Sequence, residues 1–312
     1  MTYDLAIIVP AYKPDYLREA LQSILNQTDP RFSLYIFDDA SPHNIEEIAA
    51  DYLELDHVSY TRFEQNLGGE SLVKQWKRCI AKTSREPWLW LFSDDDIMEP
   101  ACVEAFYQAM AEDTAHPAYR FDTVKMTEKG KTIRENQFPD TFDAADFLNL
   151  KLSYQQESYI VEYIFSRGAM EQAGGIPELP MAWAADDLFC VELASLGEIR
   201  SIRGPVVKWR YGAGNISGRS NRNEAVKKLD ASRRFVDKLL QKAEMVEKMD
   251  PPELITDWYV RQIRSLMDQI DLIDEIKAIA NYPGDRARAL KQYLKMKKNR
   301  SRVYGWMKHY SS

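Results

Sequence analysis

Short apolar runs alternate with stretches of helical spacing through the first half of the chain, and this alternation constrains the fold more than any other feature. Residues 5–10 form a continuous apolar run, which is typical of a strand covered on both faces. The next segment places apolar residues at helical spacing, from Leu17 to Leu25. Strands and helices that alternate in this way form a parallel sheet with helices on both sides. We therefore predict a Rossmann-like α/β fold with a mainly parallel sheet, with strands at residues 5–10, 32–37, 58–63, 88–92, 119–126, 132–138, 158–165, 199–202 and 206–211.

The last third of the chain has a different pattern. Glycine is nearly absent from residue 221 onward, and the apolar spacing is helical to the end. Pro251-Pro252 and Pro283-Gly284 interrupt this segment, so we expect about three helices. A polar, loop-like stretch near residues 218–222 separates the two patterns. We predict an α/β domain over residues 1–220 and a helical C-terminal region over residues 221–312.

Charge and composition exclude several classes of protein. The chain of 312 residues has a formal net charge of −7, and an acidic body is a poor partner for nucleic acid because phosphate binding needs a basic surface. Its three cysteines stand far apart without CxxC spacing, which argues against a disulfide framework or a structural zinc site. No stretch approaches the ~20 consecutive apolar residues of a membrane span, and the N-terminus lacks the basic segment of a signal peptide. We expect a cytoplasmic protein that does not bind nucleic acid.

Three consecutive carboxylates, Asp94, Asp95 and Asp96, directly follow the predicted strand at residues 88–92. Like charges at neighbouring positions repel one another, so stability alone does not explain them. Open α/β sheets bind ligands at the carboxyl ends of their strands. Paired carboxylates there suit Mg²⁺ or Mn²⁺ that also takes diphosphate oxygens. The alternative is a solvated acidic turn that caps the next helix, but the position after a buried strand favours the metal site.

Two further acidic motifs lie at the ends of predicted elements. Asp38 and Asp39 follow the strand at residues 32–37, where a carboxylate can accept a hydrogen bond from a nucleotide base, although a turn with an N-cap is the alternative. Asp186 and Asp187 open a predicted helix, whose N-terminus stabilises an anion. A general base must also be an anion that is reachable and rigidly held. The structural and catalytic interpretations of this pair therefore coexist.

Six motifs occur in an order that resembles a known enzyme family. They are VPAYK (9–13), DDAS (38–41), NLGG (66–69), SDDD (93–96), SRGAMEQAGGIPE (166–178) and ADDLFCVELASLG (185–197). Together they look like the inverting family 2 glycosyltransferases with the GT-A fold, over about residues 3–217. The resemblance implies a nucleoside-diphosphate-sugar donor, usually linked to UDP or GDP, and a divalent metal. It also suggests a growing cell-surface polysaccharide or a lipid-linked oligosaccharide as the acceptor.

The same resemblance implies roles for individual residues. Asp39 would contact the base of the nucleotide, and Arg210 would face the diphosphate unless it is an ordinary arginine at a strand end. Ser93 fills the first acidic position of the family's DxDD pattern, which leaves the choice of metal ligand among the three following aspartates open. The implied set is Pro10, Ala11, Tyr12, Asp38, Asp39, Asn66, Gly69, Asp94 and Arg210 for the nucleotide sugar, Asp95, Asp94 and Asp96 for Mg²⁺ or Mn²⁺, and Asp187 or Asp186 for the acceptor.

These roles predict an inverting transfer in a single displacement. Asp187 or Asp186 deprotonates an acceptor hydroxyl, which attacks the anomeric carbon from the face opposite the diphosphate. The metal and a cationic group such as Arg210 then stabilise the departing charge. A metal-dependent nucleotidyltransferase is the first rival, but no Gly-rich phosphate loop follows the first strand. The second rival is a sugar-binding homologue without turnover.

The C-terminal segment differs in charge from the rest of the chain. Residues 281–312 contain nine Lys or Arg residues and one acid, Asp285, interleaved with Leu, Tyr, Met, Val and Trp. Aromatic and basic residues favour the interfacial region of an anionic bilayer. One interpretation is therefore peripheral contact of this basic tail with the inner face of the membrane. The other is that its apolar residues pack on the catalytic domain or on a second subunit.

Overall fold

Ten strands form one sheet in the computed structural model, which describes residues 3–212 and 221–310. The strands are β1 (Leu5–Ala11), β2 (Ser33–Asp38), β3 (Val58–Arg62), β4 (Trp88–Leu91), β5 (Ile97–Met98), β6 (Ala118–Thr127), β7 (Thr132–Asn136), β8 (Thr141–Phe142), β9 (Tyr163–Ser166) and β10 (Ile199–Tyr211). They lie in the order β3-β2-β1-β4-β9-β6-β10-β5, with β7 paired to β6 and β8 paired to β10.

The N-terminal half of the sheet is parallel, as the alternating pattern predicts. β1 pairs with β2 and β4, and β2 pairs with β3. Successive residues of β1 are buried in two different hydrophobic clusters, one on each face of the sheet, which is why this strand is apolar throughout. Beyond β4 the sheet is mixed, because β9 runs antiparallel to β4 and β6 while β10 runs parallel to β6. The carboxyl ends of β1, β2 and β4 therefore meet at one edge.

β10 replaces two strands that the sequence predicts separately. It is one strand of 13 residues, and its register with β6 shifts between Ile202 and Val206. Gly204 has φ +103° at this point, a backbone conformation that residues with a side chain rarely adopt. The interruption in the apolar pattern thus marks a β-bulge within a single strand.

The helices cover both faces of the sheet and build the C-terminal region. They are α1 (Leu17–Leu25), α2 (Ile45–Ala50), α3 (Leu72–Ala81), α4 (Cys102–Glu112), α5 (Ala144–Leu152), α6 (Arg167–Gln172), α7 (Ala185–Ala194), α8 (Arg222–Leu240), α9 (Ala243–Lys248), α10 (Leu254–Leu266), α11 (Leu272–Ala280) and α12 (Arg286–Tyr310). The described part of the C-terminal region thus contains five helices where the sequence predicts about three. Among the helices described, none has the length and apolarity that crossing a membrane requires.

The C-terminal helices pack directly on the α/β part of the chain. Phe235 of α8 and Trp258 of α10 belong to the same hydrophobic cluster as Leu89 of β4 and Phe165 of β9. The predicted boundary near residues 218–222 falls largely outside the described residues, so the division into 1–220 and 221–312 stays a prediction. The shared core shows that the helical region is built onto the sheet.

Candidate active site

A cavity of about 630 Å³ opens at the carboxyl ends of the parallel strands. Its volume is in the range of sites for cofactors and small ligands. Of the residues that the sequence predicts to bind the nucleotide sugar, most line this cavity. These are Pro10, Ala11, Tyr12, Asp39, Asn66, Gly69 and Asp94.

Asp39 is fixed by three donors from the segment that follows β3. The backbone N–H groups of Leu67 and Gly68 donate to its two carboxylate oxygens at 2.8 and 2.7 Å. The guanidinium of Arg78 donates to Asp39 Oδ1 at 2.5 Å and also lies over the ring of Phe63. Asp39 is therefore a rigidly oriented carboxylate that lines the cavity.

Gly68 is required by this arrangement. A Cβ atom at position 68 would lie 2.6 Å from Asp39 Oδ2, closer than carbon and oxygen atoms normally approach. Gly68 of the NLGG motif thus allows the chain to approach the carboxylate of Asp39 closely.

Asp38 does not line the cavity, contrary to the expectation that it binds the nucleotide sugar. Its side chain is fully buried and accepts hydrogen bonds from the hydroxyl of Tyr60 at 2.8 Å and from the guanidinium of Arg62. The backbone N–H of Ser41 donates to its other oxygen at 2.8 Å. The structure therefore gives Asp38 the role of holding the turn that presents Asp39.

Asp94 and Asp95 face the cavity from the end of β4. The backbone N–H groups of Tyr12 and Lys13 both donate to Asp94 Oδ2, at 2.8 and 2.9 Å, which ties the end of β1 to the end of β4. Asp95 lies 4.0 Å from the ammonium of Lys13. Burial and the neighbouring charge of Asp94 raise the pKa of Asp95 to about 6. A cation bound beside the carboxylates of Asp94 and Asp95 would relieve the repulsion between them.

Asp96 and Arg210 do not line the cavity, so the structure places both away from the roles that the resemblance implies for them. Asp96 is fully buried and accepts a hydrogen bond at 2.7 Å from the backbone N–H of Arg210. The guanidinium of Arg210 donates to Asp95 O, Glu128 O and Glu19 Oε2 at 2.7–2.9 Å. Both side chains therefore join β10 to the acidic turn and stabilise it from behind.

Asp186 and Asp187 lie in the first turn of α7 and both line the cavity. The chain reaches them through a tight turn in which Met181, Ala182 and Ala184 all have positive φ, at 58°, 53° and 60°. Non-glycine residues in this conformation are strained and are found at sites where the surrounding structure holds them. The turn aims the two carboxylates at the same space as Asp94 and Asp95.

The two carboxylates of this pair differ in their surroundings. Asp187 is 7% exposed, and its Oδ1 lies 2.7 Å from the ammonium of Lys151. Asp186 is the more exposed of the two and accepts a hydrogen bond at 3.0 Å from the N–H of Asp187. Burial and the charge of Asp187 raise the pKa of Asp186 to about 7, whereas the charge of Lys151 opposes that rise. The pair therefore has a proton affinity suited to acid–base chemistry at neutral pH.

Sequence reasoning missed several residues that complete the cavity. Lys151 comes from the end of α5, and Trp258 and Gln262 come from α10, more than 70 residues beyond the aspartate pair. Trp209 of β10 stacks on Tyr159, with their ring centres 4.0 Å apart. From this part of the chain the sequence predicts only Arg210 as a site residue, since long-range packing alone brings Lys151, Trp258 and Gln262 to the cavity.

The sequence matches the model of glycosyl transferase family 2 over residues 6–162. The chain belongs to glycosyl transferase family 2. This confirms the resemblance seen in the motifs and makes the chain a glycosyltransferase, as predicted. A search of curated proteins finds no match to it.

Solved structures confirm the GT-A fold of this family 2 glycosyltransferase. S. aureus TarS 1–349 in complex with UDP-GlcNAc superimposes with a TM-score of 0.68 at 15% identity, over 91% of this chain and 81% of TarS 1–349. The complex of TarS 1–349 with UDP gives a TM-score of 0.66 at 15% identity, over 91% of this chain and 80% of the other. The coverage extends well beyond the family model, so the likeness includes part of the C-terminal helical region.

Proposed function

We propose that this glycosyltransferase moves a sugar, with inversion, from a UDP- or GDP-linked donor to a hydroxyl of a saccharide or lipid-linked acceptor. One observation carries the proposal. The pair Asp94 and Asp95 and the pair Asp186 and Asp187 line the same cavity, on different elements. A displacement reaction needs one charged group at the leaving diphosphate and another at the attacking hydroxyl. The complex of TarS with UDP-GlcNAc supports UDP as the nucleotide.

The donor end of the cavity suits a nucleoside. Asp39 presents an oriented carboxylate that can accept a hydrogen bond from a base N–H, beside Pro10 and Ala11 at the end of β1. The N–H groups that hold Asp39 are hydrogen-bonded to it in this structure, so its orientation does not depend on the ligand. We assign the nucleoside to this end.

The residues at the end of β4 fit a divalent metal. Mg²⁺ and Mn²⁺ in nucleotide sites commonly use one or two carboxylates and complete their shell with phosphate and water oxygens. Asp94 and Asp95 supply two such carboxylates, and the raised pKa of Asp95 reflects a repulsion that a cation would relieve. In residues 3–212 and 221–298 no cluster of three potential ligands exists, which agrees with a metal that depends on the diphosphate for the rest of its shell. When bound, the metal would neutralise the departing diphosphate.

The pair of Asp186 and Asp187 is the proposed base. Burial and the neighbouring charge of Asp187 raise the pKa of Asp186 to about 7. Lys151 holds Asp187 in place and keeps a positive charge beside the pair. An acceptor hydroxyl at Asp186 or Asp187 would lose its proton as its oxygen attacks the anomeric carbon, and the diphosphate leaves on the opposite side.

A panel of nucleotide sugars tests the proposal. Thermal denaturation is measured with UDP- and GDP-linked sugars, each with and without Mn²⁺, because a ligand that binds the native state raises its stability. We expect one nucleotide class to raise the melting temperature, and more so with Mn²⁺, and its sugar to be hydrolysed slowly without an acceptor. Conversion of the nucleotide sugar with added pyrophosphate into UTP or GTP and a sugar 1-phosphate would indicate the nucleotidyltransferase alternative, and binding without any hydrolysis would indicate the non-catalytic one.

We also propose that α11 and α12 contact an anionic membrane surface. Leu290 and Leu294 are 46% and 56% exposed, one turn apart on α12, beside the exposed Lys291 and Lys295. On the adjacent α11, Ile273 and two further aliphatic side chains are more than half exposed. Up to residue 298, where the description of side chains ends, α12 buries Ala289 and Tyr293 and packs Met296 against the same cluster, so packing explains only part of its composition. Exposed leucines beside lysines favour an anionic interface, where a lipid-linked acceptor would be available.

A further inference from the structure

The cavity continues past the aspartate pair to a wall that the donor and the metal do not need. This wall consists of Tyr154, which follows α5, and of Trp258 and Gln262 on α10. An inverting displacement requires the acceptor to approach from the side opposite the diphosphate, which is the side of the base. We infer that this wall, named the acceptor wall, is the subsite for the sugar ring of a saccharide acceptor. The inference rests on the proposed function and selects a saccharide as the group that is glycosylated.

The side chain of Tyr154 is held firmly although it is 43% exposed. The amide of Gln262 donates a hydrogen bond to its hydroxyl at 2.9 Å. The guanidinium of Arg261 lies 4.8 Å from the centre of its ring. Fixed aromatic rings at an open surface are characteristic of binding sites, because their large contact area is available without loss of side-chain freedom on binding.

The backbone of Tyr154 is also held in an unfavourable conformation. Its φ is +63°, in the left-handed region that bulky residues avoid. The guanidinium of Arg134 donates to its carbonyl oxygen at 3.2 Å, and the next two N–H groups both donate to Leu150 O. Strain of this kind persists where surrounding contacts hold it, and such positions cluster at ligand sites. No contact to the donor end of the cavity requires this conformation.

The acceptor wall lies close to the proposed base. Tyr154 lines the same cavity as Asp186 and Asp187. Lys151, which pairs with Asp187, stands three positions before Tyr154 at the end of α5. A ring bound on Tyr154 would therefore present its hydroxyls toward Asp186 and Asp187.

The chemistry of the wall suits a sugar. One face of a pyranose ring presents several C–H groups, which pack favourably against the electron-rich face of an aromatic ring. Its hydroxyl groups need hydrogen-bonding partners when they leave water, and the amides of Gln262 and Gln156 line the same cavity. An alkyl chain offers no hydroxyl group to the polar side chains of this wall, so a sugar matches its mixed lining better.

The experiment measures binding of simple sugars in the presence of UDP and Mn²⁺. The probes are the α- and β-methyl glycosides of glucose, galactose, mannose and N-acetylglucosamine, titrated by saturation-transfer NMR. The test variant is Tyr154→Asn, because Asn tolerates the left-handed conformation and removes the ring. The matched control is Arg85→Asn, since Arg85 also has a positive φ, at 74°, is exposed and lies outside the cavity.

We expect at least one methyl glycoside to bind the wild-type protein, and Tyr154→Asn to weaken that binding at least tenfold. Tyr154→Phe should weaken it less, since it keeps the ring and removes only the hydrogen bond with Gln262. Arg85→Asn should bind as the wild type does. Equal affinity in Tyr154→Asn, or no binding of any glycoside by a protein that binds UDP, would overturn the acceptor wall and leave the proposed function standing. Failure to bind any nucleotide would instead overturn the proposed function.

Discussion

The ammonium of Lys151 lies 2.7 Å from a carboxylate oxygen of Asp187. Burial lowers the pKa of Lys151, but the charges of Asp187 and Asp186 together with the hydrogen bond to Asp187 outweigh this effect and raise that pKa. The lysine also donates a hydrogen bond to Ser158 O at 3.1 Å, which fixes its position at the end of α5. Two neighbouring carboxylates and one buried cation therefore form a single electrostatic unit at the first turn of α7.

Removing Lys151 should shift the pH dependence of transfer. The base must be deprotonated, so kcat/KM should rise with pH and level off above about 7, the pKa of Asp186. Lys151→Met removes a charge that lowers this pKa, so the rising limb should move to higher pH by roughly one unit. Lys151→Arg should restore the wild-type profile. An unshifted profile in Lys151→Met, with UDP binding intact, would mean that the lysine has only a structural role.

Replacing an aspartate of the proposed base should lower turnover, whereas replacing Asp39 should lower the affinity for the donor. Asp187→Asn should lower turnover by ~10²–10⁴-fold while the affinity for the donor changes little. Asp186→Asn is measured in parallel, and a defect confined to it would identify Asp186 as the proton acceptor. Asp39→Ala should instead weaken donor binding. A loss of donor affinity in the Asp187 variant, with an unchanged rate per bound donor, would refute the assignment.

Metal dependence should reside in Asp94 and Asp95 and not in Asp96. UDP should bind more tightly with Mn²⁺ than with EDTA, and Asp95→Asn should abolish the difference in a calorimetric titration. Asp96→Ala should keep the difference but lower the melting temperature, because it removes the acceptor for the buried N–H of Arg210. Equal affinities for UDP with Mn²⁺ and with EDTA in the wild type would remove the metal from the mechanism.

A methyl group at position 68 should disturb the nucleoside site. Gly68→Ala would place its Cβ 2.6 Å from Asp39 Oδ2 and displace the carboxylate. We expect the affinity for UDP to fall about tenfold, which corresponds to ~1.4 kcal/mol. Gly168→Ala is the control, since its Cβ would meet only Ser166 Oγ at 3.7 Å. If both variants bind UDP equally well, the position of Asp39 does not determine nucleotide affinity.

Membrane contact should depend on the leucines of α12. The protein should sediment with anionic but not with neutral vesicles, and high salt should release it because each basic residue contributes ~1 kcal/mol at most. Leu290→Asn combined with Leu294→Asn should reduce the bound fraction severalfold. The control is Leu53→Asn combined with Leu55→Asn, two leucines that are 41% and 42% exposed at a different surface. Equal sedimentation of both double variants, or of both lipid types, would leave α12 as a packing element.

The sequence predicts the parallel strands closely because burial on both faces leaves them apolar throughout. The predicted strand at 5–10 corresponds to β1, and the one at 32–37 is displaced by a single residue from β2. The strand expected at 158–165 begins only at Tyr163, after a 3₁₀ turn. There Glu162 is buried against Arg120 at 2.9 Å, a partner that the local pattern does not reveal.

The predicted number of C-terminal helices was wrong because the local sequence does not show every helix end. The expected breaks were at proline, whereas α8 ends near Gln241 and α11 begins at Asp271 without one. The start of α11 did carry a signal, since Asp271 and Asp274 form a capping box that is visible in the sequence. Helix ends set by side-chain capping are therefore recoverable from the sequence, while ends set by tertiary packing are not.

Residues of the candidate site also divide into those that the sequence pattern predicts and those that only tertiary packing brings to the cavity. Acids at strand ends were found because the topology of an α/β sheet brings them to one edge. The family resemblance implied that Arg210 faces the diphosphate, but its side chain turns back to Glu19 and Glu128. Lys151 and Gln262 could not be found, since nothing in their local sequence shows which distant residues they meet.

The position of Gln262 on α10 has a consequence for how the enzyme comes into being. A ribosome releases the chain from its N-terminus, and the α/β part has its own buried strands with which to begin folding. When the α/β part has been synthesised, the residues around Asp39 and Asp94 are present, whereas Trp258 and Gln262 have not yet been added to the chain. The nascent chain therefore contains the residues of the nucleotide end before it contains the complete acceptor wall, and a fragment ending before α10 would keep Tyr154 but lack Trp258 and Gln262.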